Sequence, residues 1–225
     1  MSNLILFSLL ILLLVVVQFS RGMTIGRLIN LHLEAVGGAA RVNDLHFLSL
    51  SGTMRLPQLT GTFRSECQRG VSMRVDVDFP ETGSATLLLG SGKSEKQIRT
   101  GDTTNRHPLS PEELPFAVDS VDLFGTFFLF RRKNATLKYL GREVLEGTAC
   151  YKISSVNPSG GLSFHYLRCD SLQQIRSVKR VESDGIWTER TTDFSDYRPH
   201  GSGLVFPHQI SATGYSLTVE QITTR

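Results

Sequence analysis

Residues 87–94 of the chain read LLLGSGKS, an apolar run that ends in a glycine-flanked serine and then Gly-Lys-Ser. These are the residue types of a phosphate loop, where successive backbone N–H groups curl around phosphate oxygens and a helix then opens. The spacing does not follow that pattern. The position where the loop needs its first glycine is Leu87, and the glycines at hand are Gly83 and Gly90. The next stretch, SEKQIRTGDTTNRHP, carries one apolar side chain, Ile98, and no helical stripe. The segment instead predicts a hairpin, in which Leu87–Leu89 end one strand, residues 90–92 turn and Glu95–Arg99 return. No nucleotide is expected.

Other chemistry is thinly supplied. There is no GxSxG, no HExxH and no cysteine paired locally with a histidine. Among the six histidines, His200 and His208 flank the HGSGLVFPH turn. With Asp193 or Asp196 they are the nearest approach to a metal set, but loop histidines are mostly solvated. Asp76 and Asp78 share a strand face, whereas Asp193 and Asp196 do not, and neither pair has an apolar pocket in sequence to raise one pKa. Both pairs read as solvent-facing charges. No metal, no cofactor and no catalytic residue is expected. An enzyme would need a triad assembled across the fold. Asn134-Ala135-Thr136 is a glycosylation sequon that has meaning only in a eukaryotic secretory pathway.

Cysteine usage leaves alternatives open. Cys150 and Cys169 flank the turn NPSGG, and pairing outward from Ser159-Gly160 sets them opposite one another. A cross-strand disulfide in an oxidising compartment and two thiols in neighbouring strands both fit. Cys67 has no evident partner, and no spacing suggests zinc.

The elements that position these residues come from composition and pattern. A chain of 225 residues, 40% hydrophobic and 20% charged, is globular by composition and suits one domain over residues 23–225. Its net charge of +3 is interspersed, without a basic stripe and interleaved aromatics, so no nucleic-acid partner is expected. Residues 1–22 stand apart. NLILFSLLILLLVVVQF is an uncharged apolar run, shorter than the ~20 residues of a membrane span, and it suits a signal peptide cleaved after Gly22. A retained membrane anchor and a start at Met23 are the alternatives, because Arg21 and Arg27 follow the run and no basic residue precedes it.

A helix opens the remainder, with Ile25, Leu28, Ile29, Leu31 and Leu33 as its apolar face, Thr24 as its cap and Gly37-Gly38 as its stop. The pattern then alternates with period two in FLSLSGTMRL, LTGTFRSECQ and VSMRVDVDF. It resumes after Asn134 in TLKYLGREVLEG, ACYKISSV, LSFHYLRCD, LQQIRSVKRVES, IWTERTTDFSDY, LVFPHQIS and SLTVEQITT. Between the two sets lies RHPLSPEELPFAVDSVDLFGTFFLFRRKN, which reads as two short helices broken at Pro115. Its densely apolar VDLFGTFFLF either plugs the protein's own core or forms a mobile lid over an apolar cavity. About eleven strands joined by short hairpins describe an antiparallel meander that curls.

Four stretches carry a family resemblance: LEAVGGAARVNDLHFLSLSGTM, GREVLEGTACY, YLRCDSLQQIRSVKR and FSDYRPHGSGLVFPHQI, which together cover most of residues 24–212. They resemble exported bacterial outer-membrane lipoprotein-sorting proteins of the LolA-like fold. The resemblance implies an α+β fold, a strongly curved, half-open antiparallel sheet with helices packed in its concave face. Such a fold holds acyl chains or lipoproteins between sheet and lid, in the periplasm or at the periplasmic face of the inner membrane.

The reading that follows is an exported, non-enzymatic binder or carrier of lipid or acylated lipoprotein in the cell envelope. Its partners are a lipid or the acyl chain of a lipoprotein, and the membrane surface. Leu123, Phe124, Phe127 and Phe128 form the lid, with Phe63, Val75, Phe79, Tyr151 and Phe164 as wall residues whose inward face depends on strand register. The alternative is an envelope sensor or structural module whose curved sheet binds another protein.

Overall fold

The structure is a computed structural model that describes residues 23–69, 71–90, 93–109, 127, 135–157, 160–183 and 186–225. Helix α1 spans Ile25–Ala35 and begins as its sequence predicts, with the Thr24 hydroxyl accepting from the Arg27 N–H at 3.3 Å. It stops at Gly37 and Gly38, both at positive φ, and the Gly38 N–H donates to the Leu33 carbonyl. Gly37 is also a point of close approach, since a Cβ there would lie 2.4 Å from the Gly203 carbonyl oxygen. A second helix, α2 (Ala39–Asp44), has no apolar stripe to announce it and buries Val42. The Arg69 guanidinium donates to the Val42 and Asn43 carbonyls at its C-terminal end.

The strands fall into two runs. The first contains β1 (Phe47–Arg55), β2 (Thr60–Gln68), β3 (Ser72–Phe79), β4 (Gly83–Gly90), β5 (Lys93–Thr100) and β6 (Thr103–Pro108). The second contains β7 (Thr136–Leu145), β8 (Thr148–Val156), β9 (Leu162–Arg168) and β10 (Gln174–Ser183). It continues through β11 (Ile186–Pro199), β12 (Val205–Ala212) and β13 (Tyr215–Thr224). Each run is an antiparallel meander, and the two join where β1 pairs with β13. Among the described residues the result is one open sheet of thirteen strands with β6 and β7 at its edges.

Thirteen strands replace the eleven or so expected. The strand without a pattern of its own is β6, whose residues TTNRHP are all exposed. It forms because Thr100 pairs with Thr103 across a two-residue loop. Gly101 takes positive φ at the first loop position, as a II′ hairpin requires. The Gly-Lys-Ser stretch is the predicted hairpin, since Gly90 pairs with Lys93 and Leu89 with Ser94. The two helices expected after residue 109 lie outside the described residues.

Both helices pack on one face of the sheet. Leu28 and Ile29 of α1 join Tyr151, Ile153 and Leu167 in one buried cluster. Val42 joins Leu45 and Leu204 in a second, against which Phe206 packs, and Phe206 reaches a third built on Leu48, Leu50, Phe63 and Val219.

Candidate functional site

Strand pairing settles which expected wall residues share a face. On the β1 side, Gly52, Phe63, Val77, Ala85 and Ile98 form one cross-strand row, and Ser65, Val75 and Leu87 form the next. Phe79, two residues beyond Val77, lies over Gly61, where a Cβ would meet its ring at 2.6 Å. On the β13 side, Leu217, Ile210 and Phe194 align, as do Thr192, Ser177, His165 and Ile153. Tyr151 faces Leu167 in the neighbouring row. Phe63, Val75, Phe79 and Tyr151 therefore stand on the helix-bearing face.

Phe164 does not join them. It pairs with Ser154 and Val178, one residue out of step with His165, and so points to the opposite face. There the Lys152 ammonium sits 5.3 Å from its ring centroid and the Arg180 guanidinium 5.4 Å.

Of the expected lid, Phe127 lies among the described residues, whereas Leu123, Phe124 and Phe128 lie outside them. Phe127 is 3% exposed and packs in the cluster of Leu28, Ile29, Tyr151, Ile153 and Leu167. Two histidine rings flank it edge-on, His32 of α1 at 5.0 Å and His165 of β9 at 5.1 Å. The His32 Nδ1–H donates to the Leu172 carbonyl at 2.8 Å, and His165 Nε2 shares a 2.8 Å hydrogen bond with the buried Ser155 hydroxyl. Burial pushes the His165 pKa down to about 4, with His32 adding a smaller charge effect. Burial also lowers His32, against the opposing effect of its bond to Leu172. Both rings are therefore neutral near pH 7. Gln174, not a carboxylate, faces His165 Nδ1, so among the described residues no acid orients the Ser155–His165 pair as in a hydrolytic triad. Its physical role here is to seat Phe127.

Sequence reasoning missed His165 and Ser155. Their only local trace is parity: in LSFHYLR, the histidine shares a strand face with Leu167, a signal that becomes visible once register is known.

Of the two arrangements open for Cys150 and Cys169, the structure has the thiols. Cys150 pairs with Arg168, while the Cys169 N–H donates to the Ala149 carbonyl. This one-residue offset sends the two side chains to opposite faces, and no disulfide joins them. The metal arrangement weighed around the HGSG turn is not assembled. His200 and His208 turn ring nitrogens to the carbonyls of Ile222 and Val219, and Asp193 and Asp196 pair with Arg176 and Arg198. No three His, Cys, Asp or Glu side chains converge among the described residues.

No family model matches the chain, and no curated protein matches it by sequence. Similarity appears in three dimensions. A DUF1329 family protein from Desulfovibrio piger superposes with a TM-score of 0.59 at 12% identity, over 90% of this chain and 94% of that one. A domain of the outer membrane lipoprotein-sorting class from Vibrio parahaemolyticus gives 0.56 at 12% identity, over 88% and 92%. A LolA superfamily protein from Nitrosomonas europaea gives 0.56 at 10% identity, over 91% and 94%. The fold is LolA-like. At these identities the likeness concerns backbone architecture. In this LolA-like sheet the helix-bearing face is the apolar one, and Phe127 is seated on it. Among the described residues, no helix is long and apolar enough to cross a membrane.

Proposed function

We propose that this chain is an exported, non-enzymatic binder of lipid or of the acyl chain of a lipoprotein. The observation that carries the reading is a largely apolar face on an open LolA-like sheet whose described helices cover one flank and leave the other to Leu109. Over β8 and β9, α1 and Phe127 bury Ile153 and Leu167 completely. Over β3 and β4, Val75, Val77 and Leu87 stay half-buried, and neither described helix packs on them. Exposed apolar surface costs about 25 cal/mol per Å², and an acyl chain laid along it removes that cost. Phe63, Val75 and Phe79 wall the open part and Tyr151 the covered part. The segment of Leu123, Phe124, Phe127 and Phe128 is the lid, with Phe127 as its anchor. The sheet curves around the ligand, and the protein works in the periplasm or at the periplasmic face of the inner membrane.

Native mass spectrometry of the protein isolated from cell envelopes tests this, together with titration by a fluorescent fatty acid. An added acyl mass and saturable binding are expected. Bare polypeptide and no binding overturn the reading and leave the alternative, an envelope module whose sheet binds a protein. The self-filled β8–β9 flank is the observation that favours that alternative. Sequencing the N-terminus of the exported protein separates a cleaved, diffusible form from an anchored one.

A further inference from the structure

The opposite face of the same sheet carries a second feature, independent of the apolar one. Strands β2–β6 line a hollow of about 530 Å³ whose side chains are almost all polar. Its guanidinium groups are Arg64, Arg74, Arg99 and Arg106, and it is furnished with Thr62, Ser84, Thr86, Thr104 and Gln97. Pairing accounts for the grouping. Arg64, Asp76, Thr86, Gln97 and Arg106 form one cross-strand row, and Thr62, Asp78, Ser84, Arg99 and Thr104 form the next.

The carboxylates of this face are unevenly placed. Arg74 holds Asp76 through two hydrogen bonds, and Thr86 donates a third at 2.6 Å. Although partial burial pushes its pKa up, these bonds and the nearby Arg64 charge hold the Asp76 carboxyl below its ordinary value. Arg64 pairs with Glu66. Glu95 is buried and accepts from the Gln97 amide. Asp78 is exposed and stands two strands from Arg99, about 9–10 Å at normal strand spacing.

Arg99 and Arg106 are different. Arg99 lies opposite Thr104, and Arg106 lies opposite Gln97, which makes the two arginines diagonal neighbours on adjacent strands. Arg99 donates to the Gly101 carbonyl, and among the described residues neither guanidinium meets a carboxylate. Like charges at diagonal positions repel weakly in water, and an anion held between them turns that repulsion into attraction. Two guanidinium forks beside hydroxyl and amide donors match the oxygens of a phosphate or sulfate.

We propose that this hollow binds a phosphate- or sulfate-bearing polyol, with Arg99 and Arg106 gripping the oxyanion while Thr104 and Gln97 bond its oxygens and hydroxyls. Two sources share this chemistry, a soluble sugar phosphate and an anionic lipid headgroup. The test uses the full chain. One arm titrates inositol trisphosphate against neutral inositol by calorimetry at low salt. The other measures sedimentation with phosphatidylglycerol-containing vesicles against pure phosphatidylcholine vesicles.

Saturable binding in the first arm identifies a soluble ligand, and binding in the second arm alone identifies a headgroup. In either case Arg99→Gln/Arg106→Gln is expected to weaken binding about tenfold or more, as loss of two charge-assisted contacts implies. Lys138→Gln/Arg27→Gln, which removes the same charge elsewhere, is expected to leave it within twofold. Arg106→Lys keeps the charge, loses the fork and is expected to fall between. Both arginines are exposed, so the double variant is expected to melt like the parent, and the single lysine variant serves should it not. Two outcomes overturn the proposal: no saturable binding to either probe, or equal loss in the double variant and the distant control.

Discussion

The two flanks of the sheet use the same alternation of side chains to opposite ends. On β8 and β9 the helix-bearing face is sealed, with Ile153, Leu167 and the facing Leu28 all at 0% exposure. On β3 and β4 residues of the same parity stay half-buried, and only Met73 and Leu89, at 6% and 8%, are buried. The opposite faces differ as well. Behind β8 and β9, Phe164 and Tyr166 hold the Lys152 ammonium over their rings. Behind β2–β6 the face is a polar hollow with four guanidinium groups. Alternation makes a sheet two-faced, and it does not say which part of the apolar face becomes core. That is decided by α1 and Phe127, whose contacts with β8 and β9 are remote in sequence.

The contrast can be broken most forcefully at its sealed end. Phe127→Ala is expected to lower stability by about 3–5 kcal/mol, the usual cost of emptying a buried aromatic site. Urea denaturation measures it, and a loss comparable to that of a surface variant would show that the β8–β9 flank is not sealed by this ring.

Acid attacks the same place. His165 is held neutral down to about pH 4 in the folded state, whereas in the unfolded chain it takes a proton near the ordinary histidine value of 6.5. Between these values the unfolded chain binds more protons, so stability is full above pH 6.5 and falls as pH drops towards 4. The loss is on the order of 3 kcal/mol. His32, lowered in the same direction, adds to it. Denaturation midpoints at several pH values check the slope, which is expected to flatten in His165→Asn.

A smaller effect is expected on the other face. Phe164→Ala removes the ring shared by Lys152 and Arg180 and should cost about 1 kcal/mol, in line with partly exposed cation–π contacts. Because Phe164 points away from the apolar face, fatty-acid affinity should not change. Loss of binding in this variant would move the ligand to the wrong side of the sheet.

The smallest stability change is expected at the open flank. Val75→Ala, at a half-buried position, should cost less than about 1 kcal/mol. The same substitution should weaken fatty-acid binding, read by fluorescence titration. A large stability loss with unchanged binding would make the open flank another sealed core and erase the contrast between flanks.

Much of this architecture was legible in the chain because it is local. Thr24 caps α1 through a bond to Arg27 three residues away, and Gly37 and Gly38 end it through their own positive φ. The Gly90–Lys93 pairing needs only a two-residue loop, and the alternation of each strand is a property of its backbone. What escaped is what depends on register and on distant contacts. β6 has no apolar pattern and is held by its pairing with β5. Cys150 and Cys169 look matched when counted outward from the turn, yet one residue of offset sends them to opposite faces.

By itself, then, the sequence determined the caps, the hairpins and a sheet with one apolar and one polar face, since these follow from neighbours a few residues apart. Only the tertiary structure decided that Phe63, Val75, Phe79 and Tyr151 share a face while Phe164 does not. It also decided that His32 and His165 meet around Phe127 and that Arg99 and Arg106 gather over one hollow. The physical reason is parity: a shift of one residue in pairing reverses every side chain of a strand, and that shift is set jointly with the partner strand and the turn between them.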